Sequence, residues 1–166
     1  MHLNVRSLLH KLSEINRFTS TCRPAIISIL ETRLDDTVTA WLDDTVTDNE
    51  IQIEGYNVIR KDRDRQGGGV CTYIRQDLAF SERQDLRKDN LEAVWVEILV
   101  TKTKPILICT CYRPSKQNDF LELFEMILST LRSDSEWFIL GDFNICLKEK
   151  KSFLLKNTNR YHICLT

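Results

Sequence analysis

Trp137-Phe138-Ile139-Leu140-Gly141-Asp142-Phe143-Asn144 decides how the rest of the chain is read. Four apolar residues bounded by a glycine predict a buried strand, and the positions that follow put a carboxylate and a carboxamide where that strand ends. If the extended conformation continues, Asp142 and Asn144 point to one side and Phe143 to the other. That pair suits one phosphate and its attacking water. An ionised Asp accepts a proton from water or orients it, and a neutral Asn donates hydrogen bonds to a phosphoryl oxygen without repelling it. Asp-x-Asn is also what a strand running into an Asx turn looks like, so the choice falls to the rest of the chain.

Immediately upstream, Phe120, Phe124, Ile127, Leu128 and Leu131 form one apolar helical face, capped by Asn118 or Asp119, which returns the chain to that strand. Before the helix come two predicted strands, residues 91–100 and 106–112, joined by Thr101-Lys102-Thr103-Lys104 as an antiparallel hairpin. Arg113-Pro114 ends the second and leaves Tyr112 at its tip, where a phenol can reach a phosphoryl oxygen. Further back, residues 56–60 and 70–74 read as paired strands. Between them lie a charged turn and Gly67-Gly68-Gly69, which has neither a following Gly-Lys-Ser/Thr nor GxGxxG spacing and so reads as turn chemistry. Arg60, Lys61, Arg63 and Arg65 on that turn can serve as a phosphate rim.

At the N-terminus, Met1-His2-Leu3-Asn4-Val5 is a short strand running into a helix with apolar positions Leu8, Leu9, Leu12, Ile15 and Phe18 and Ser7 as its N-cap. Pro24 closes that helix. Ala25-Ile26-Ile27-Ser28-Ile29-Leu30 then predicts a strand buried on both faces, and this β-α-β opening implies an α/β fold. Glu31 follows at the carboxyl end of the strand, the edge where open α/β sheets collect ligands, and a carboxylate there suits a hard divalent cation. Residues 34–39 and 42–47 are the same hexapeptide, Leu-Asp-Asp-Thr-Val-Thr. It is too short for a solenoid repeat, so it reads as a local duplication in a solvated acidic loop.

A chain of 166 residues, 42% hydrophobic and 28% charged, is expected to form one domain spanning residues 1–166. Its net charge of −1 excludes a globally basic nucleic-acid coat, so any DNA contact needs a local basic face or a bridging metal. The six cysteines contain no CxxC pair, and four lie in or beside apolar runs. They read as reduced thiols, which with the lack of a signal peptide or a span of ~20 apolar residues points to an intracellular protein, nuclear or cytoplasmic.

Asn4, Glu31, Tyr112, Asp142 and Asn144 each fall at or just beyond a predicted strand end. At this point the sequence resembles the endonuclease/exonuclease/phosphatase superfamily, and most closely the apurinic-like endonuclease domain of non-LTR (LINE-type) retrotransposons. The resemblance rests on Leu3-Asn4-Val5-Arg6-Ser7-Leu8, Glu31-Thr32-Arg33-Leu34, Gly67-Gly68-Gly69-Val70, Tyr112-Arg113-Pro114 and Gly141-Asp142-Phe143-Asn144, in family order over nearly the whole chain. It implies a DNase I-like two-sheet α/β sandwich of mixed strands and cleavage of phosphodiesters dependent on Mg2+ or Mn2+. By the same carry-over Glu31 holds the metal with Asn4 nearby, Tyr112 and Asn144 contact the scissile phosphate, and Asp142 orients the water. Arg60, Arg63 and Arg113 are weaker candidates for a phosphate or DNA rim.

The implied setting is a monomer nicking target DNA beside a reverse transcriptase domain, with no membrane partner. The family pattern runs on to a closing Ser-Asp-His, which these residues do not contain. The expectation is therefore a C-terminally truncated domain with impaired activity. His162, preceded by Tyr161 rather than Asp, is the one histidine in the tail available as a substitute. The alternatives are a non-catalytic fragment acting as a binding module, and a phosphomonoesterase of the same superfamily.

Overall fold

The computed structural model describes residues 1–34, 46–63, 67–115, 117, 119–131, 135–144 and 161–165, the last segment's Tyr161, Ile163 and Leu165 by backbone alone. The chain divides into two compact units, Met1–Leu78 and Ala79–Thr166, each with its own sheet and its own helix.

The first unit holds strand β1 (His2–Asn4), helix α1 (Leu8–Cys22), and strands β2 (Ile26–Leu30), β3 (Tyr56–Lys61) and β4 (Val70–Arg75). Its sheet runs β1-β2-β4-β3, with β1 parallel to β2 and the other pairs antiparallel. The predicted β-α-β opening is therefore present. Even the terminal ammonium is used, donating to the Ile26 carbonyl at 2.8 Å. α1 covers one sheet face through Leu8, Ile15 and Thr19, packed with Ile27, Ile29, Cys71 and Tyr73. Two residues of the expected helix face turn outward instead, Leu9 and Phe18, each nearly half exposed. Leu8, Ile15 and Thr19 lie seven and four apart, so they share one face, and Thr19 is admitted because its hydroxyl donates to the Asn16 carbonyl at 2.9 Å. On β2, Ser28 and Leu30 are as fully buried as Ile27 and Ile29, as a strand with so few polar positions predicts.

Ser7 stands at the N-cap position of α1 but makes no side-chain cap; the Leu8 N–H instead donates to the Thr32 carbonyl at 2.9 Å. The hexapeptide copies fall almost wholly outside the described residues. Within them Leu34 and Val46 are buried, and Thr47 opens a 3-10 turn, Asp48–Ile51, whose Glu50 accepts from the Thr47 N–H at 2.7 Å and from its hydroxyl at 2.9 Å. Those two bonds hold the Glu50 carboxyl below its ordinary value. Because the folded-state value lies below the unfolded one, this stabilisation is complete above the unfolded carboxylate range and is lost as pH falls through the folded value. Thermal melts from pH 7 to pH 3 are expected to show Glu50→Gln flattening the acid limb of stability: the variant melts below the unmodified protein at pH 7, and the gap closes as the pH falls.

The second unit comprises β5 (Phe80–Glu82), β6 (Glu92–Ile98), β7 (Ile106–Tyr112), α2 (Phe120–Thr130), β8 (Glu136–Asp142) and β9 (Tyr161–Leu165). The order is β5-β6-β7-β8-β9, antiparallel up to β7 and parallel from β7 through β9. β7-α2-β8 is a second β-α-β unit, flanked by the expected β6–β7 hairpin. α2 lays Phe120, Phe124, Ile127 and Leu128 on Trp95, Leu107, Cys109, Trp137, Ile139 and Phe143. Four rings interlock there, two from α2: Phe124 stacks on Trp95 and Phe120 at 5.6 Å each, and Phe143 meets Phe120 and Phe124 edge-on at 5.2 Å. Cys71, Cys109 and Cys111 are buried thiols, and burial pushes Cys71 and Cys109 well up, which keeps them protonated and inert. Cys22 and Cys164 are exposed. No helix among the described residues is long and apolar enough to cross a membrane.

Candidate active site

In the first unit the candidate residues Asn4 and Glu31 meet at the carboxyl end of β2. Asn4 ends β1 opposite Leu30, so its side chain is delivered beside the next residue of β2's chain, Glu31. The Asn4 Nδ2 donates to Glu31 Oε1 at 2.9 Å. On the other oxygen, Arg33 Nη2 lies 3.5 Å from Glu31 Oε2. Glu31 and Arg33 both adopt left-handed backbone, at φ 54° and 53°, a conformation that costs non-glycine residues about 1 kcal/mol or more each.

The glycines hold this conformation in place. Thr32 N–H donates to the Gly69 carbonyl at 3.2 Å and Arg33 N–H to the Gly68 carbonyl at 3.0 Å, while the Thr32 carbonyl receives the first amide of α1. Gly69 has φ 77°, and a Cβ there would lie 2.4 Å from Thr32 Oγ1. Gly68 and Gly69 thus do more than turn the chain: they let the backbone leading into β4 press against Thr32 and hold Thr32 and Arg33 by their amides.

The donor set fits a hard divalent cation. Glu31 offers two carboxylate oxygens and Asn4 a neutral amide oxygen, the kind of sparse oxygen ligation that Mg2+ accepts while keeping several waters. Among the described residues no three His, Cys, Asp or Glu side chains converge as a self-sufficient metal cage.

In the second unit Tyr112 and Asp142 are register partners on the parallel β7–β8 pair. Register partners share a sheet face, here the face opposite the α2 core, because Cys111 and Phe143 point into that core. Glu92 pairs with Tyr112 from the β6 side and is buried. A carboxylate, a phenol and a carboxylate therefore stand in one row across three strands. Sequence reasoning missed Glu92, whose only signal was an acidic residue at the start of an otherwise apolar run.

Extended structure does not persist from Asp142 to Asn144. β8 ends at Asp142, Asn144 is left-handed at φ 44°, and its N–H donates to Asp142 Oδ1 at 3.0 Å. An Asx turn, rather than strand alternation, brings the two polar residues together. Phe143 anchors that turn in the ring cluster.

Arg113 holds it from the other side. Its N–H donates to the Asp142 carbonyl at 2.8 Å, its Nη1 to the carbonyls of Phe143 and Asn144 at 3.3 and 3.5 Å, and its Nε to the Gln117 carbonyl at 2.8 Å. Asn144 Nδ2 returns a bond to the Arg113 carbonyl at 2.8 Å. Arg113 is buried, so its guanidinium braces the turn from within where the sequence suggested a surface rim.

The other two rim candidates are tethered as well. Arg60 Nε lies 3.1 Å from Asp48 and 3.2 Å from Asp62, with Nη2 on the Val46 carbonyl, and Arg63 Nε donates to the Gly67 carbonyl at 2.8 Å. His162 is exposed on β9 and stacks on Phe138, ring centroids 4.7 Å apart. Its register partner Phe138 precedes Asp142 by four residues, roughly 13 Å of strand.

The family model for the Endonuclease/Exonuclease/phosphatase family matches residues 1–161. Among solved structures, the endonuclease domain of TRAS1, a telomere-specific non-LTR retrotransposon, superposes with a TM-score of 0.66 at 16% identity, covering 93% of this chain and 68% of that one. An endonuclease/exonuclease/phosphatase family protein from Leptotrichia buccalis gives 0.64 at 16% identity, over 93% and 72%. A humanized D. rerio TDP2 gives 0.63 at 11% identity, and this chain spans only 64% of its length. D. rerio TDP2 has also been solved with a single strand DNA product, at a TM-score of 0.55, 10% identity and coverage of 88% and 58%. No curated protein sequence matches the chain. At such identities the structural likenesses speak to the DNase I-like α/β fold alone. The family match over nearly every residue goes further: this chain belongs to the endonuclease/exonuclease/phosphatase family.

Proposed function

We propose that the chain is a divalent-metal-dependent phosphodiesterase acting on DNA, the nicking module of a LINE-type element that works beside a reverse transcriptase domain. One observation carries the reading. The residues expected to do the chemistry stand at the carboxyl ends of their own strands and contact or pair with each other within each unit, Asn4 with Glu31 and Tyr112 with Asp142. Glu31 and Asn4 would hold Mg2+ or Mn2+, which when bound supplies Lewis-acid stabilisation of developing negative charge. Asp142 orients the attacking water and accepts its proton. Asn144 and Tyr112 donate to the non-bridging phosphoryl oxygens, the Asx turn and the Arg113 brace fixing Asn144 before substrate arrives. DNA is favoured as substrate by the relative solved with a DNA product.

The test is nicking of supercoiled plasmid with Mg2+ or Mn2+. Chelation is expected to abolish it, and Glu31→Gln and Asp142→Ala are each expected to lower it roughly 100-fold or more. The double variant should be little worse than the poorer single one, because groups serving one step are not additive. Nicking indifferent to both substitutions would overturn the reading. DNA binding without nicking would instead make the chain a binding module, and turnover of a small phosphate ester in preference to plasmid would make it a phosphomonoesterase.

A further inference from the structure

We infer that Arg33 is the built-in counter-ion of Glu31, occupying the carboxylate when no divalent cation is there and so setting how tightly the Asn4–Glu31 pair takes one. The inference rests on the proposed role of Glu31 as the metal-holding carboxylate. Arg33 lies two residues beyond Glu31 in the same left-handed conformation, which turns both side chains to a common side, and its Nη2 is 3.5 Å from Glu31 Oε2. That contact is long for a guanidinium–carboxylate pair, which normally closes to about 2.8 Å. The Arg33 Nε is buried and has no hydrogen-bond partner. A side chain tied by one long bond, with a second donor left orphaned, is weakly held. With 37% of its side chain exposed it also has room to leave.

The backbone beneath does not have to move. Thr32 and Arg33 are already fixed by the Gly69 and Gly68 carbonyls, and Asn4 already orients the other oxygen of Glu31. Arg33 thus neutralises a largely buried carboxylate on a strained, preformed loop, at the cost of repelling the cation that the loop is shaped to receive. A unit charge about 6 Å from a divalent ion weakens its binding roughly ten-fold even at the dielectric constant of water.

The experiment titrates Mn2+ into the full chain and reads free Mn2+ by electron paramagnetic resonance, with no substrate present. Arg33→Gln and Arg33→Met, which both remove the charge and keep a long stem, are expected to bind Mn2+ roughly ten-fold more tightly than the unmodified protein. Arg33→Lys, which keeps the charge, should stay within about three-fold. Glu31→Gln should lose the site. Circular dichroism melts without metal identify any variant that is not folded, and two neutral variants guard against losing one. If the folded neutral variants bind no more tightly while Glu31→Gln still abolishes binding, the counter-ion role is overturned and the metal reading stands. If Glu31→Gln binds as well as the unmodified protein, both are overturned.

Discussion

Phe124→Ala is expected to destabilise the protein by about 3–5 kcal/mol, the range for removing a large ring from a well-packed core. Phe124 is fully buried and touches three other rings, Trp95, Phe120 and Phe143, so no single neighbour can swing in to fill the space. For a chain of this length the loss corresponds to a fall in melting temperature of roughly 10 °C. Phe143 makes the effect reach the candidate site. It is the middle residue of the Asp142–Asn144 turn and is held edge-on by Phe120 and Phe124. Below its new melting temperature the variant should still lose nicking activity, since the turn keeps its hydrogen bonds but not its anchor. A melt within 2 °C of the unmodified protein, measured by near-ultraviolet circular dichroism, would show that α2 is not packed as described.

Gly141→Ala is the second large effect, about 3 kcal/mol. A Cβ at Gly141 would stand 2.5 Å from the Cys111 carbonyl oxygen and 2.8 Å from its sulfur. The first contact is with backbone of the neighbouring strand, which no side-chain rotation relieves. β7 and β8 must part at the point where Tyr112 and Asp142 pair, so stability and activity should fall together. Cys111→Ala removes the sulfur and leaves the carbonyl, and on the clash argument it should rescue Gly141→Ala only slightly. Full rescue of the melting temperature by Cys111→Ala would place the conflict at the sulfur instead. Gly141 therefore serves close strand packing beneath the site, whereas Gly69 serves a left-handed backbone pressed against Thr32.

Much of this was legible before any coordinates. Strand 106–112 and the inward face of α2 were read with their observed bounds or residues, because an apolar run between turn signals and a heptad-like spacing are local properties of the chain. The β-α-β opening followed from the same patterns, as did the order strand, helix, strand over the second unit's last elements, whose parallel pairing was not read. α1 was read less well. Its apolar residues surround more than one face, and only the sheet beneath it selects Leu8, Ile15 and Thr19 while leaving Leu9 and Phe18 to solvent. β5 was not expected: Phe80-Ser81-Glu82 is too short to carry a pattern and exists because β6 offers it an edge.

The sequence by itself determined that Asn4, Glu31, Tyr112 and Asp142 fall at or just beyond strand ends, since residue type, order and local periodicity are written in the chain. Only tertiary structure decided how they are presented. That Arg113 is an internal brace and that Gly68 and Gly69 clamp Thr32 and Arg33 depend on hydrogen bonds between segments roughly 30 or more residues apart, which no local pattern encodes. The Asx turn joining Asp142 and Asn144 is local, and the sequence offered it beside the extended reading; the fold decided between the two. The pairing of Arg33 with Glu31 belongs with them despite its short span in sequence. In an extended strand i and i+2 also share a face, but it took two left-handed residues, held by carbonyls from β4's approach, to aim a cation at the oxygen a metal would use.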